Sequence, residues 1–348
     1  MRILVATDAW HPQINGVVNT YEQLARHAPL LGDEIVVLTP ADFSSIPCPT
    51  YPEIPLAFAW SKATARRIEA LKPDAVHVAT EGPVGWAVRR WCLKRGVPFT
   101  TSFHTRFPEY VRQRFLIPER WTWAVLRAFH NAGDGMMVAA PSLARSLAAQ
   151  GFRKIMPWSR GVDTTLFHPR PVRSFGDDPV FLYVGRVAVE KSVEDFLSLK
   201  LPGRKVVVGD GPARAGLEQR FPEAHFTGML TGTALAEAYA SADVFVFPSR
   251  TDTFGNVLLE AMASGVPVAA LPVTGPSDIV RPGETGILDE NLARAAVQAM
   301  SLERTVIARQ ARLYDWDACT RAFAQNVRTA LDRRGFARVR SRATPAIA

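Results

Sequence analysis

The sequence predicts an α/β protein of two doubly wound parallel sheets, and three observations predict it. Short apolar or β-branched runs alternate with helical stretches along both halves of the chain. A polar, proline-bearing stretch, His168-Pro-Arg-Pro-Val-Arg-Ser-Phe-Gly-Asp-Asp-Pro179, separates the halves as a linker. The 348 residues are many for one core and comfortable for two domains of ordinary size.

In chain order, the strand Ile3-Leu-Val-Ala-Thr7 leads into the loop His11-Pro-Gln-Ile-Asn-Gly-Val-Val18. A helix then runs to about Leu31, and Glu34-Ile-Val-Val-Leu-Thr39 forms the next strand. Ala75-Val-His-Val78, a helix after Gly82, Phe99-Thr-Thr-Ser-Phe103 and a strand near Gly135-Met-Met-Val-Ala139 continue the alternation. The second half opens at Val180-Phe-Leu-Tyr-Val-Gly-Arg186 and goes on through Lys205-Val-Val-Val-Gly209, His225-Phe-Thr-Gly228 and Asp243-Val-Phe-Val-Phe247. An amphipathic closing helix starts at Asp315-Trp-Asp-Ala-Cys-Thr-Arg-Ala-Phe323. Three segments result: 1–170, 171–315, and 316–348 with its basic tail.

At 47% hydrophobic and 21% charged residues the chain is globular, which excludes disorder as its working state. Cys48, Cys92 and Cys319 share no short spacing and cannot all pair, which argues for reduced thiols and a cytoplasmic protein. The apolar run at the N-terminus is too short for a signal peptide, and no stretch reaches the length of a membrane span. The protein is expected to be soluble or attached to a membrane only at its surface. Residues 1–170 carry 20 Lys and Arg against 13 Asp and Glu, residues 171–327 carry 15 against 19, and the tail from Arg328 carries 6 against 1. The basic first half and tail suit anionic headgroups or nucleic acid.

The densest chemistry lies in Pro248-Ser-Arg-Thr-Asp-Thr-Phe-Gly-Asn-Val-Leu-Leu-Glu260 and the following Ala-Met-Ala-Ser-Gly-Val-Pro267. Asp252 suits an N-cap, Val257, Leu258, Ala261 and Met262 form an apolar stripe, and Gly265 with Pro267 stops the helix. On that reading Asp252 and Glu260 stand about two turns, roughly 12 Å, apart on one helix. The first-turn amides around Phe254, Gly255 and Asn256 offer an anion site between them. Arg186 and Lys191, in Gly185-Arg-Val-Ala-Val-Glu-Lys191, follow a strand, at the edge where open sheets bind ligands.

These residues resemble the carboxylate-x7-Glu signature of family-four retaining glycosyltransferases, in which the first carboxylate is usually glutamate and here is Asp252. The resemblance implies the GT-B fold, two Rossmann-like domains facing across a cleft, with the closing helix returning to the first domain. It assigns Arg186 and Lys191 to the donor diphosphate, and it places Gly209 and Gly211 of Gly209-Asp-Gly-Pro212, with Gly228, in the nucleotide pocket. Glu260 falls to the ribose hydroxyls, since a carboxylate can accept from two neighbouring O–H groups. The resemblance also brings Gly16 of the Asn15-Gly-Val-Val18 loop to the donor phosphate and His104 of Thr101-Ser-Phe-His-Thr-Arg106 to the donor sugar. Asp252 is grouped with His104, Arg186 and Lys191 as catalytic. Each segment has a plainer alternative: a capped helix with a solvated Glu260, a turn with exposed cations, a structural histidine.

Two cations can replace a metal ion beside a leaving diphosphate, and no aspartate-x-aspartate stands at a strand end, so neither a metal nor a cofactor is expected. The donor is a nucleotide-sugar, with UDP-glucose, UDP-glucuronate and GDP-mannose left open. Trp86, Arg89, Arg90, Trp91, Lys94 and Arg95, then Arg112, Arg114, Arg120, Trp121, Trp123 and Arg127, mix rings with cations as membrane-interface segments do. Core packing explains many of those rings equally well. The likeness of Ala6-Thr-Asp-Ala-Trp-His-Pro-Gln-Ile-Asn-Gly-Val17 to bacterial glycolipid hexosyl and mannosyl transferases favours a lipid acceptor such as diacylglycerol at an anionic membrane surface. A soluble or polysaccharide acceptor, or a non-catalytic nucleotide-sugar-binding protein, are the alternatives. A nucleic-acid partner is not expected, because it would need neither the Asp252 segment nor the Arg186 and Lys191 pair.

Overall fold

A computed structural model describes residues 1–13, 15–48, 51–104, 118–333 and 335. The chain divides into two compact units, Met1–Ser159 with Trp316–Ala348, and Arg160–Asp315. The polar stretch 168–179 therefore lies inside the second unit.

In the first unit the strands are β1 (Arg2–Ala6), β2 (Glu34–Leu38), β3 (Ser45–Cys48), β4 (Tyr51–Ala57), β5 (Ala75–Val78), β6 (Phe99–Phe103), β7 (Gly135–Val138) and β8 (Ile155–Pro157). Six of them form a parallel sheet in the order β2-β1-β5-β6-β7-β8, and β3 and β4 pair separately as an antiparallel hairpin. Around them lie α1 (Gly16–His27), α2 (Ser61–Leu71), α3 (Pro83–Arg95), α4 (Glu119–Asn131) and α5 (Pro141–Ala149). β5, β6 and β7 are buried on both faces; their runs are apolar or small except at His77, whose ring nitrogens bond to Thr100 and Tyr21. α3 begins with Pro83 at its first turn and ends on Gly96 at φ 64°, the left-handed stop that glycine adopts without strain.

The second unit has β9 (Val180–Val184), β10 (Arg204–Val208), β11 (His225–Gly228), β12 (Val244–Phe247), β13 (Val268–Ala270) and β14 (Gly286–Leu288), all parallel, in the order β11-β10-β9-β12-β13-β14. Its helices are α6 (Val193–Leu197), α7 (Arg214–Arg220), α8 (Gly232–Ala240), α9 (Asn256–Ala263), α10 (Pro276–Ile279), α11 (Leu292–Ala299) and α12 (Arg304–Ala311). Phe181, Phe196, Val207, Val246 and Ala269 are among the residues that fill one face of this sheet. In each sheet the chain winds outward from its first strand in both directions. The direction reverses between β1 and β5 in one and between β9 and β12 in the other, and the carboxyl ends of such strand pairs are where open sheets bind ligands.

The closing helix, α13 (Trp316–Asp332), belongs to the first unit. Trp316, Cys319, Phe323, Val327 and Leu331 recur at helical spacing and pack with Ile3, Val5, Tyr21, Met137 and Trp158. The Trp158 indole donates to the Cys319 carbonyl at 3.2 Å, and Arg328 reaches both oxygens of buried Asp33 at 2.7 Å. Among the described residues no helix is long and apolar enough to cross a membrane. Cys48, Cys92 and Cys319 stand outside any disulfide, and burial pushes the Cys92 thiol far up.

Candidate active site

At the reversal point of the second sheet, two loops meet. The loop after β9 carries Gly185, Arg186 and Lys191, and the loop after β12 carries Ser249, Thr251 and Asp252. Lys191 Nζ donates to Asp252 Oδ1 at 2.5 Å, so residues 61 apart in the chain share one ion pair. The second carboxylate oxygen of Asp252, the Ser249 hydroxyl and the Thr251 hydroxyl are all buried without a protein hydrogen-bond partner. Three unmatched polar atoms in one four-residue stretch are costly unless something binds there.

The N-cap expectation is corrected. α9 begins at Asn256, and its N-cap is Gly255 at φ 95°, ψ 76°, a left-handed conformation that suits glycine. Asp252 lies in the preceding loop, so Asp252 and Glu260 do not share a helix and the helical 12 Å span does not apply. Lys191 provides the reason: the tertiary ion pair holds the Asp252 side chain away from the helix tip. Phe254 is buried in the turn, and a Cβ at Gly275 would stand 2.6 Å from the Phe254 carbonyl oxygen. This close packing fixes the backbone that leads to the Asn256 amide.

Glu260, one turn into α9, accepts a hydrogen bond from Tyr239 Oη of α8 at 2.8 Å. Protein atoms crowd its carboxyl although part of the residue surface stays open, and this burial pushes its pKa up to about 7, against the lowering effect of Tyr239. Tyr183 at the end of β9 donates to the Arg186 carbonyl at 2.8 Å and shapes that turn. Burial holds its hydroxyl well above the usual tyrosine range, with the Asp252 and Glu190 carboxylates adding to the effect.

The glycines stand where strand ends crowd together. A Cβ on Gly209 would lie 1.9 Å from the Gly185 carbonyl oxygen, and one on Gly211 would lie 2.4 Å from that of Val187. The amide of Gly185 donates to Val208, that of Val187 to Asp210, and that of Gly209 to the Gly228 carbonyl. The structure thus brings Gly185, Gly209, Gly211 and Gly228 onto one carboxyl edge with Arg186, Lys191 and Asp252. Arg214, which the sequence reading passed over, joins them: its Nη1 lies 3.0 Å from where a Gly228 Cβ would be and donates to Asp210 at 3.1 Å. Its position three residues after Gly211 was the available signal.

Residues 178–302 match the family described as "Glycosyl transferases group 1", and residues 14–166 match "Glycosyltransferase Family 4". The chain is 33% identical to the sulfoquinovosyl transferase SQD2 of Arabidopsis thaliana, over 88% of this chain and 69% of that protein. It is also 33% identical to a GDP-mannose-dependent alpha-mannosyltransferase of Mycobacterium tuberculosis, over 83% of both. The chain belongs to glycosyltransferase family 4.

This family-4 enzyme is a retaining glycosyltransferase that takes its sugar from a nucleotide-sugar. Another relative, the GDP-mannose-dependent alpha-(1-6)-phosphatidylinositol dimannoside mannosyltransferase of M. tuberculosis, is 29% identical over 70% of this chain and 68% of its own length. Sucrose-phosphate synthase of Thermosynechococcus elongatus superposes with a TM-score of 0.77 at 22% identity, covering 95% of this chain and 99% of the other, which shows the GT-B fold.

Two predicted residues lie at the carboxyl edge of the first unit of this transferase. Gly16 is exposed at the first position of α1, where the Asn15 carboxamide accepts from the Val17 and Val18 amides at 3.0 and 3.1 Å. His104, just past β6, shares a 2.9 Å hydrogen bond between its Nε2 and the hydroxyl of buried Tyr21, which also meets His77 Nε2 at 2.9 Å. Asp8, at the reversal point of this sheet, ties the neighbouring loop: its carboxylate accepts from Thr80 Oγ1 and from the Val84 and Gly85 amides. Burial raises its pKa despite those bonds.

The mixed aromatic set splits. Trp91 is core, Trp86 packs edge-on to Phe129, Trp123 stacks on Phe103, and Trp121 is exposed. Arg106, Arg112, Arg114 and the tail beyond residue 335 lie outside the described residues. No group of three or more His, Cys, Asp or Glu side chains able to hold a metal occurs among the described residues.

Proposed function

We propose that this transferase moves a hexose from a nucleoside diphosphate sugar to a lipid at a membrane surface, without a divalent metal ion. The observation that carries the donor half is the Lys191–Asp252 pair, set beside the three unpartnered polar atoms of Ser249, Thr251 and Asp252 at a sheet reversal point. In this reading Arg186 and Lys191 stabilise the charge that grows on the leaving diphosphate. The ion pair with Asp252 fixes the Lys191 ammonium at this edge, where its positive charge faces the diphosphate in this reading.

The free oxygen of Asp252 accepts a hydroxyl of the sugar, the amides at Phe254, Gly255 and Asn256 receive the phosphates, and Glu260 accepts the ribose hydroxyls. Gly209, Gly211 and Gly228 let the nucleotide approach the backbone. Gly16 and His104 serve the phosphate and the sugar, as the family resemblance implies. The bond between the anomeric carbon and the diphosphate oxygen breaks, the acceptor oxygen bonds to that carbon on the same face, and the acceptor proton passes to the departing phosphate oxygen.

Support for the lipid acceptor comes from the relative named for phosphatidylinositol dimannoside and from the basic first half of the chain. The name of the mannosyltransferase relative supports GDP-mannose beside the two UDP-sugars. The test is a screen of UDP-glucose, UDP-glucuronate and GDP-mannose against lipid vesicles and soluble sugars, with EDTA present. Sugar recovered in the lipid fraction supports the reading. Transfer to soluble sugars alone, or tight donor binding with no transfer, overturns it.

A further inference from the structure

An exposed aromatic pair stands out on the first unit. Trp60 is 71% exposed and Phe58 is 42% exposed, and their rings stack 6.3 Å apart and 6° from parallel. Single exposed apolar residues are ordinary, but two adjacent stacked rings facing water are a patch with a use. They border a groove of about 260 Å³ lined also by Ala57, Pro83, Trp86 and Arg90.

The charge on the two helices beside this groove is mostly positive. Lys62, Arg66 and Arg67 occupy the exposed side of α2, whose inner side buries Thr64 and Ile68. Arg90, Lys94 and Arg95 occupy the exposed side of α3, whose inner side buries Val84, Val88 and Cys92. Glu69 is the one acidic residue on the two helices, and Arg95 of α3 reaches it at 3.3 Å, which joins the helices into one surface. Arg89, in contrast, turns inward to the Ala128 and Phe129 carbonyls and covers Trp86.

We propose that this α2–α3 face docks on an anionic bilayer, with Phe58 and Trp60 wedged at the headgroup boundary and the groove holding a segment of acyl chain. Indole rings favour that boundary, and long cationic side chains lay their stems on apolar surface while their heads meet lipid phosphate. A surface with six exposed cations against Glu69, framing a planar aromatic wedge, fits an anionic lipid layer, since a protein partner would need matching carboxylates. The proposal gives the lipid-acceptor reading its surface, and its test does not depend on that reading.

The test is co-sedimentation of the full chain with phosphatidylcholine vesicles and with vesicles containing equal parts phosphatidylglycerol. The wild type is expected to bind the anionic vesicles, to release at high salt, and to ignore pure phosphatidylcholine. Phe58→Ser with Trp60→Ser should weaken binding about tenfold or more. Arg66→Glu with Arg67→Glu, on an exposed helix face and so harmless to folding, should weaken it roughly 25-fold or more, about fivefold for each lost cation. No binding by the wild type, or wild-type binding by both variants, overturns the proposal. So does a dimer in sedimentation equilibrium that the aromatic substitutions dissociate, which would assign the face to a second copy. Vesicle binding lost in the variants, with no sugar ever reaching lipid, would uphold this face and defeat the acceptor reading alone.

Discussion

Lys191 and Glu260 carry the account at the residue scale. On the proposed reading, Lys191→Ala removes a fixed cation from the developing diphosphate charge, and it also takes the Lys191 partner from Asp252, so kcat should fall about a hundredfold or more in a steady-state assay. Normal turnover would show that the leaving group is stabilised elsewhere. Glu260 is different, because its burial already has a cost in the unliganded protein. With its pKa raised from 4.5 to about 7, the folded state retains a proton that the unfolded chain gives up. Stability on this account is full below pH 4.5 and falls as pH rises towards 7. Urea midpoints measured across that window should decline less in Glu260→Gln, whose amide oxygen can still accept from Tyr239. Parallel declines in the two proteins would contradict it.

Strand ends and the closing helix set the behaviour of the elements. Gly209 stands at φ 135° with the Gly185 carbonyl where a side chain would go, so Gly209→Ala combines backbone strain with a clash. It should cost about 2 kcal/mol or more in denaturant unfolding. An unchanged midpoint would mean that the β9 and β10 ends part easily. In α13, Phe323 is fully buried, with its ring 5.0 Å from His77 and 5.1 Å from Trp158. Phe323→Ala should cost about 3–5 kcal/mol, and a loss under 1 kcal/mol would show that α13 is only loosely seated.

For the whole molecule, the sequence told a great deal about strands and less about loops. Val180–Val184 and Val244–Phe247 are continuous apolar runs that have no other use than as buried parallel strands, so two doubly wound sheets were legible. The start of α9 was not, because Asp252 has a strong local preference for an N-cap and a stronger distant partner in Lys191. The Tyr239–Glu260 bond and the place of Arg214 beside Gly228 depend on how helices land on the sheet, which no short spacing encodes. The tryptophans were ambiguous for the same reason: composition marks an interface residue, and only packing separates buried Trp91 from exposed Trp60.

The central claim is that a nucleoside diphosphate is held, without divalent ions, by Arg186 and Lys191 at the reversal point of the second sheet. Titration calorimetry of UDP and GDP in EDTA tests it most directly. The account predicts that at least one nucleotide binds the wild type, and that Arg186→Ala and Lys191→Ala each weaken binding about tenfold or more, the worth of one hydrogen bond to a charged group. Binding that appears only when a divalent ion is added, or that survives both substitutions unchanged, would contradict it.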